Sequence, residues 1–107
     1  MMDLTFYTGD SRNLLITVVD QNDGVITITD AAIEWILISQ GKTVLSKEVG
    51  AGITISNPTA GQFTISLTAN DTRSLSGTYQ HMTRVTTSDG NSSIVLTGTI
   101  TVQESLI

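Results

Sequence analysis

His81 is the only imidazole in a chain of 107 residues, so any histidine-based proton transfer or metal ligation must run through it. It lies in Gly77-Thr-Tyr-Gln-His-Met-Thr-Arg-Val85, where no nucleophile and orienting acid surround it in the manner of a catalytic triad. It reads as a strand histidine whose ring nitrogens bond to backbone or neighbouring groups. Asp20, Asn22 and Asp23 have the outline of a calcium loop. However, Gly24 occupies the fifth position, where that loop needs an oxygen ligand, and no Glu follows at the twelfth. The segment reads as a tight turn. Gly50-Ala51-Gly52 is followed by no Lys-Ser/Thr pair and so makes no phosphate loop. The acids sit mostly in turns, where carboxylates bond to local backbone rather than face each other across a cleft. A sugar-stacking platform would fall to Phe6 and Tyr7, because Trp35, Phe63 and Tyr79 belong to the core, and one of the first two staples the N-terminal strand. No catalytic, cofactor-binding or metal residue is therefore assigned; the expectation is a protein that is not an enzyme and takes no cofactor.

Bulk composition narrows the class. The length suits one domain spanning 1–107. The chain has no Cys, which removes thiol chemistry and Cys-based zinc sites. Only 14% of residues are charged and the net charge is −5. The five basic residues, Arg12, Lys42, Lys47, Arg73 and Arg84, are scattered, so a phosphate backbone is not an expected partner. No basic-then-apolar leader opens the sequence and no apolar run reaches membrane-spanning length. The expectation is a small product made in the cytoplasm, with no membrane and no nucleic acid among its partners.

The elements that must position these residues are strands. Turn signals recur at short spacing: Gly9-Asp10, Gln21 to Gly24, Gln40-Gly41, Gly50 to Gly52, Asn57 to Gly61, and Ser88 to Asn91. Between them lie runs rich in Ile, Val and Thr, whose branched Cβ suits a pleated surface. Such spacing predicts an all-β sandwich of about seven to nine strands. Ile33, Trp35 and Leu37 share one face, as do Phe63, Ile65 and Leu67. Leu14, Ile16 and Val18 oppose Leu15, Thr17 and Val19; apolar residues on both sides predict either a central strand or a partner over its outer face. Residues 69–75 break the pattern and predict a short helical crossover, with Asn70 or Asp71 as its cap. Residues 78–87 and 92–102 predict a long closing hairpin. Its inward set is Tyr79, His81, Thr83 and Val85 against Ile94, Leu96, Ile100 and Val102. The core is expected to centre on Trp35 with Tyr79, Phe63, Ile65, Leu67, Val85, Leu96 and Ile100.

Asp71…Leu75-x-Gly77-x-Tyr79 predicts a tyrosine whose ring is buried while its hydroxyl reaches back to the crossover. This resembles the tyrosine corner of immunoglobulin-like sandwiches, and Trp35 resembles their buried tryptophan, with His81 where their second Cys would fall. The order of features across the chain is similar to a family of small tailed-phage and prophage virion proteins. It runs from Gly9-Asp10 through Ala31-x-Ile33-x-Trp35, Gly52-Ile-Thr-Ile55, Gly61-x-Phe63-x-Ile65-x-Leu67, Asp71-Thr-x-x-Leu75-x-Gly77-x-Tyr79-x-His81 and Asp89-Gly90 to Leu96-x-Gly98-x-Ile100-x-Val102. The similarity extends to the N-terminal domain of phage baseplate upper proteins, which continue into a longer chain. The resemblance implies an immunoglobulin-like antiparallel β-sandwich and a virion structural role assembled in the bacterial host cytoplasm. The role is a capsid- or neck-associated decoration or cement protein, or alternatively a tail, baseplate or host-glycan-binding module. Implied partners are other virion proteins (major capsid, neck, tail or baseplate) and further copies of the same chain. The expected contact residues are Leu4, Phe6, Tyr7, Leu106 and Ile107, at edges and tails where apolar groups would otherwise face water.

Overall fold

In a computed structural model, which describes residues 2–19, 22, 24 and 26–106, the chain forms one curled sheet of eight strands. These are β1 (Leu4–Tyr7), β2 (Arg12–Thr17), β3 (Ala32–Ser39), β4 (Lys42–Val49), β5 (Gly52–Asn57), β6 (Gln62–Leu67), β7 (Gly77–Thr86) and β8 (Ser92–Gln103). A 3₁₀ turn (Pro58–Ala60) precedes β6, and a single helical turn, α1 (Ala69–Thr72), links β6 to β7. The hydrogen-bonded order is β1-β8-β7-β3-β4-β5-β6-β2. The sheet folds over at the β4–β5 seam, which joins only Glu48 to Gly52 and Val49 to Ile53. The layers are thus β1-β8-β7-β3-β4 and β5-β6-β2. The second half of that order, and the sequence of β8, β7, β3 and β4 in the first, reproduce the B-E-D and G-F-C-C′ arrangement of immunoglobulin sandwiches. The fold is an all-β immunoglobulin-like sandwich. It is antiparallel except at two seams, where β1 runs parallel to β8 and β4 parallel to β5.

The alternating faces form the core as their pattern requires. Ile33, Trp35 and Leu37 from one layer meet Phe63, Ile65 and Leu67 from the other, all buried, with the Trp35 indole fully enclosed. Tyr79, Val85 and Ile100 are buried with them, and Leu96 packs half-buried at the margin. Enclosing side chains of this size is the main favourable contribution to folding, about 1.5–3 kcal/mol for each large apolar group.

Three expectations are corrected. Ile94 does not face inward; it is 41% exposed. The β7–β8 register slips between Thr83 and Arg84, so Thr83 pairs with Leu96 while Arg84 pairs with Ile94. One residue, Val95, is extra on β8, and a one-residue slip exchanges the two faces. β2 is not a central strand but the end of the sheet order; its outward Leu15 is 59% exposed. The crossover helix is capped by neither Asn70 nor Asp71. Thr68 is the N-cap, and Asp71 closes a reciprocal capping box: the Asp71 N–H donates to Thr68 Oγ1 (3.2 Å) and the Thr68 N–H to Asp71 Oδ2 (2.8 Å). The expected turn at 21–24 includes Gln21 and Asp23, and these, with Asp20 of the calcium-like pattern, lie outside the described residues.

Candidate functional site

The most constrained polar cluster surrounds His81. Its place on β7, opposite Gly98 of β8 and Leu37 of β3, turns the ring into the sandwich, where the residue is 1% exposed. The Trp35 indole N–H donates to His81 Nδ1 at 3.2 Å. An indole can only donate, so Nδ1 carries no proton. Nε2 therefore carries it and donates to the Met2 carbonyl at 2.6 Å. The ring is held in a single tautomer between the core tryptophan and the N-terminal backbone. Both nitrogens are engaged, which leaves neither free for a substrate or a metal.

Gly98 makes this contact possible. A Cβ at this position would fall on the Met2 carbonyl oxygen, 2.6 Å from the carbonyl carbon and 2.8 Å from His81 Nε2. The absent side chain admits the N-terminal backbone against β8. The Met2 N–H donates to Thr97 O (2.9 Å), and Asp3 Oδ1 accepts from the Thr99 N–H (3.0 Å). β1 then continues in parallel from Leu4↔Ile100 to Tyr7↔Gln103. The pattern Leu96-x-Gly98-x-Ile100 is visible in the sequence, but a close backbone approach leaves no signature beyond the glycine itself.

A second cluster ties the crossover down. Lys47 Nζ of β4 meets Asp71 Oδ2 of α1 at 2.8 Å, with both side chains mostly buried. Its stem passes over Gly52 (φ +104), where a Cβ would collide with Lys47 Cδ. Burial is the largest single influence on the Asp71 carboxyl and acts to raise its pKa. The hydrogen bonds from Lys47 and from the Thr68 N–H and hydroxyl, with the Lys47 charge, together outweigh it and hold the group below its usual value. Tyr79 completes the corner that Asp71 to Tyr79 predicts: its hydroxyl donates to Ser76 O (3.0 Å) and accepts from the Ser76 N–H (2.9 Å).

Among the grooves formed by the described residues, an open one of about 540 Å³ lies at the sandwich end between residues 26–29 and the β7–β8 tip. Its lining includes the apolar Val18, Val85 and Val95 and the polar Thr27, Thr29, Ser93 and Asp89. The Thr87 hydroxyl, which donates to Asp89, and the Asn91 backbone hold the exposed Asp89 carboxyl below its ordinary value. Among the described residues no three His, Cys, Asp or Glu side chains gather in a way that could hold a metal ion.

The expected contact residues divide. Phe6 is buried; it points into the core and is the staple of β1, with the Arg12 guanidinium 5.9 Å from its ring centroid. It is therefore withdrawn from the contact surface. Leu4 is half-buried against the core. Tyr7 is 51% exposed and Leu106 fully exposed, and Ile107 lies outside the described residues. No protein-family model matches the chain, and no curated protein does.

Proposed function

We propose that the protein is a non-enzymatic virion structural protein of a tailed phage, a decoration or cement subunit of the capsid or neck. What carries this reading is that the residues of the phage-protein resemblance are framework residues. Trp35 is the enclosed core anchor, Asp71 closes the capping box, Tyr79 forms the corner, His81 holds the N-terminal backbone and Gly98 admits it. A likeness concentrated in such positions is a likeness of building block. A low-charge surface supports repeated docking, because little charge must be desolvated at each contact. Phage particles assemble in a reducing cytoplasm, where a Cys-free domain loses nothing.

The test is mass spectrometry of purified particles from the host that encodes the chain. The expected result is this chain in fixed stoichiometry with the major capsid or neck protein. Recovery of the chain only in the soluble, particle-free fraction would refute the proposal. Truncation after Ser105 combined with Tyr7→Ala should reduce incorporation without unfolding the domain. Removing residues 1–8 would not serve, because it takes Phe6 from the core.

The groove at the sandwich end favours a second reading, a host-glycan-binding module, because its lining combines valine side chains with hydroxyls and a carboxylate. Glycan-array binding that disappears in Asp89→Ala would support it over the cement role.

A further inference from the structure

Among the described strands, β2 has the least guarded outer edge of this sheet. β2 pairs with β6 in unbroken antiparallel register from Arg12↔Leu67 to Thr17↔Gln62, and the next residue, Val18, donates its N–H to Gly61 O at 2.8 Å. Along such a ladder successive residues point their backbone groups to alternate sides. Even-numbered positions therefore turn toward β6. Asn13, Leu15 and Thr17 turn their N–H and C=O groups outward, where no described strand pairs with them. Natural edges are blunted by shortness, lysines, prolines or bulges. β1 is four residues long. β4, beyond its short seam with β5, carries Lys42 and Lys47, and β5 beyond the same seam is broken by a bulge between Ile55 and Asn57. β2 has six residues, no Pro, no Lys and no bulge, and presents Leu15 at 59% exposure beside this open ladder.

We propose that β2 pairs antiparallel with β2 of a second copy of this chain, across a two-fold axis through Leu15. Two identical antiparallel strands match residues whose numbers have a constant sum. Centring on Leu15 sets Asn13 against Thr17, Leu15 against Leu15, and Thr17 against Asn13. This centre alone satisfies all the outward-pointing residues of β2 at once. It also keeps the faces continuous, since matched positions share parity. On the outer face the two exposed Leu15 side chains cover each other, flanked by a carboxamide–hydroxyl pair on each side. On the inner face Leu14 meets Ile16 of the other copy, and the two cores join along one sheet. None of Asn13, Leu15 and Thr17 is charged, so the net charge of −5 is not concentrated at the axis. The contact is isologous, and closed two-fold pairing of this kind is the commonest form of self-association. It does not depend on the virion reading, since it follows from the edge alone.

The 107-residue chain is tested by sedimentation velocity over a dilution series, with Leu15→Lys, Leu15→Cys and a control cysteine variant. The wild type is expected to pass to twice the chain mass as concentration rises. Leu15→Lys, which sets like charges on the axis, is expected to remain monomeric with an unchanged unfolding midpoint. Leu15→Cys is the decisive arm, because the chain has no other thiol. Opposed residues of a hydrogen-bonded antiparallel pair lie about 5.5 Å apart at Cα, within the range a disulfide spans. Under mild oxidation it is expected to form a reductant-sensitive dimer at least about tenfold faster than Val44→Cys, a position on β4 that is 44% exposed against 59% for Leu15. If Leu15→Lys fails to fold, the cysteine pair still decides. A wild type that stays monomeric throughout, a dimer that persists in a folded Leu15→Lys, or equal crosslinking of the two cysteine variants would each overturn the proposal.

Discussion

Gly98→Ala is the sharpest probe of how this sandwich holds its N-terminal strand. The added Cβ would overlap the Met2 carbonyl oxygen and stand 2.6 Å from its carbon. Backbone cannot swing aside as a flexible side chain can, so the N-terminal segment must move off β8. Three hydrogen bonds go with it: Met2 N–H to Thr97 O, His81 Nε2 to Met2 O, and the Thr99 N–H to Asp3. Each contributes about 0.5–1.5 kcal/mol net, and a buried His81 N–H left without an acceptor costs about 1–3 kcal/mol. If β1 peels away entirely, uncovering Phe6 adds about 1.5–3 kcal/mol. These losses overlap, because one displacement causes them all, so the expected destabilisation is about 2–5 kcal/mol in urea unfolding at pH 7. Hydrogen exchange should show lost protection at the β1 amides of Leu4–Tyr7 while β3 and β6 keep theirs. Trp35 fluorescence should also change, since its indole bonds to the displaced imidazole. A midpoint within about 0.5 kcal/mol of wild type, together with retained β1 protection, would refute the N-terminal lock.

Further outcomes follow from the same contacts. Trp35→Ala should cost about 3–5 kcal/mol, read as a fall in the denaturation midpoint, because the indole is fully enclosed and its removal also leaves His81 Nδ1 without a donor. Thr83→Val should be neutral or raise stability by about 1 kcal/mol in the same assay, because Thr83 Oγ1 is buried with no hydrogen-bond partner. Asp71→Asn should cost about 1–2 kcal/mol at pH 7, from lost charge-assisted bonds. Its pH dependence has a definite sign. The folded carboxyl titrates below the unfolded one, so its stabilisation is complete above the unfolded value of about 4 and falls away as pH drops through the folded value. Unfolding measured from pH 7 to pH 2 should therefore show the wild-type and Asp71→Asn curves converging below about pH 4.

The parts of this structure visible in the sequence are those that depend on local periodicity. Ile33-x-Trp35-x-Leu37 and Phe63-x-Ile65-x-Leu67 alternate without interruption, and a period of two leaves a strand only one way to bury its apolar side. The tyrosine corner was equally legible, because Tyr79 reaches back only to Ser76. Ile94 failed for the converse reason. Its alternation with Leu96 is regular, and the slip that turns it outward is set by pairing with β7, a relation between strands that neither strand carries alone. The central-strand reading of β2 failed in the same way. Apolar residues on both sides show that a strand has two surfaces to cover, but not which elements cover them, and here the outward surface is left at the sheet's edge.

His81 joins both lessons. Its lack of catalytic neighbours was readable, whereas its partners were not. Trp35 lies 46 residues away along the chain and Met2 lies 79 residues away. The histidine's position is the one a disulfide cysteine holds in antibody-type domains, where the bond joins the two sheets; the ring here bonds within its own layer. It connects the core tryptophan of β3 to the backbone just ahead of β1, through directional bonds rather than a covalent link. A disulfide of that kind needs an oxidising compartment. An imidazole held between an indole N–H and a backbone carbonyl does not, and here it fixes the N-terminal backbone against β8 by hydrogen bonds alone.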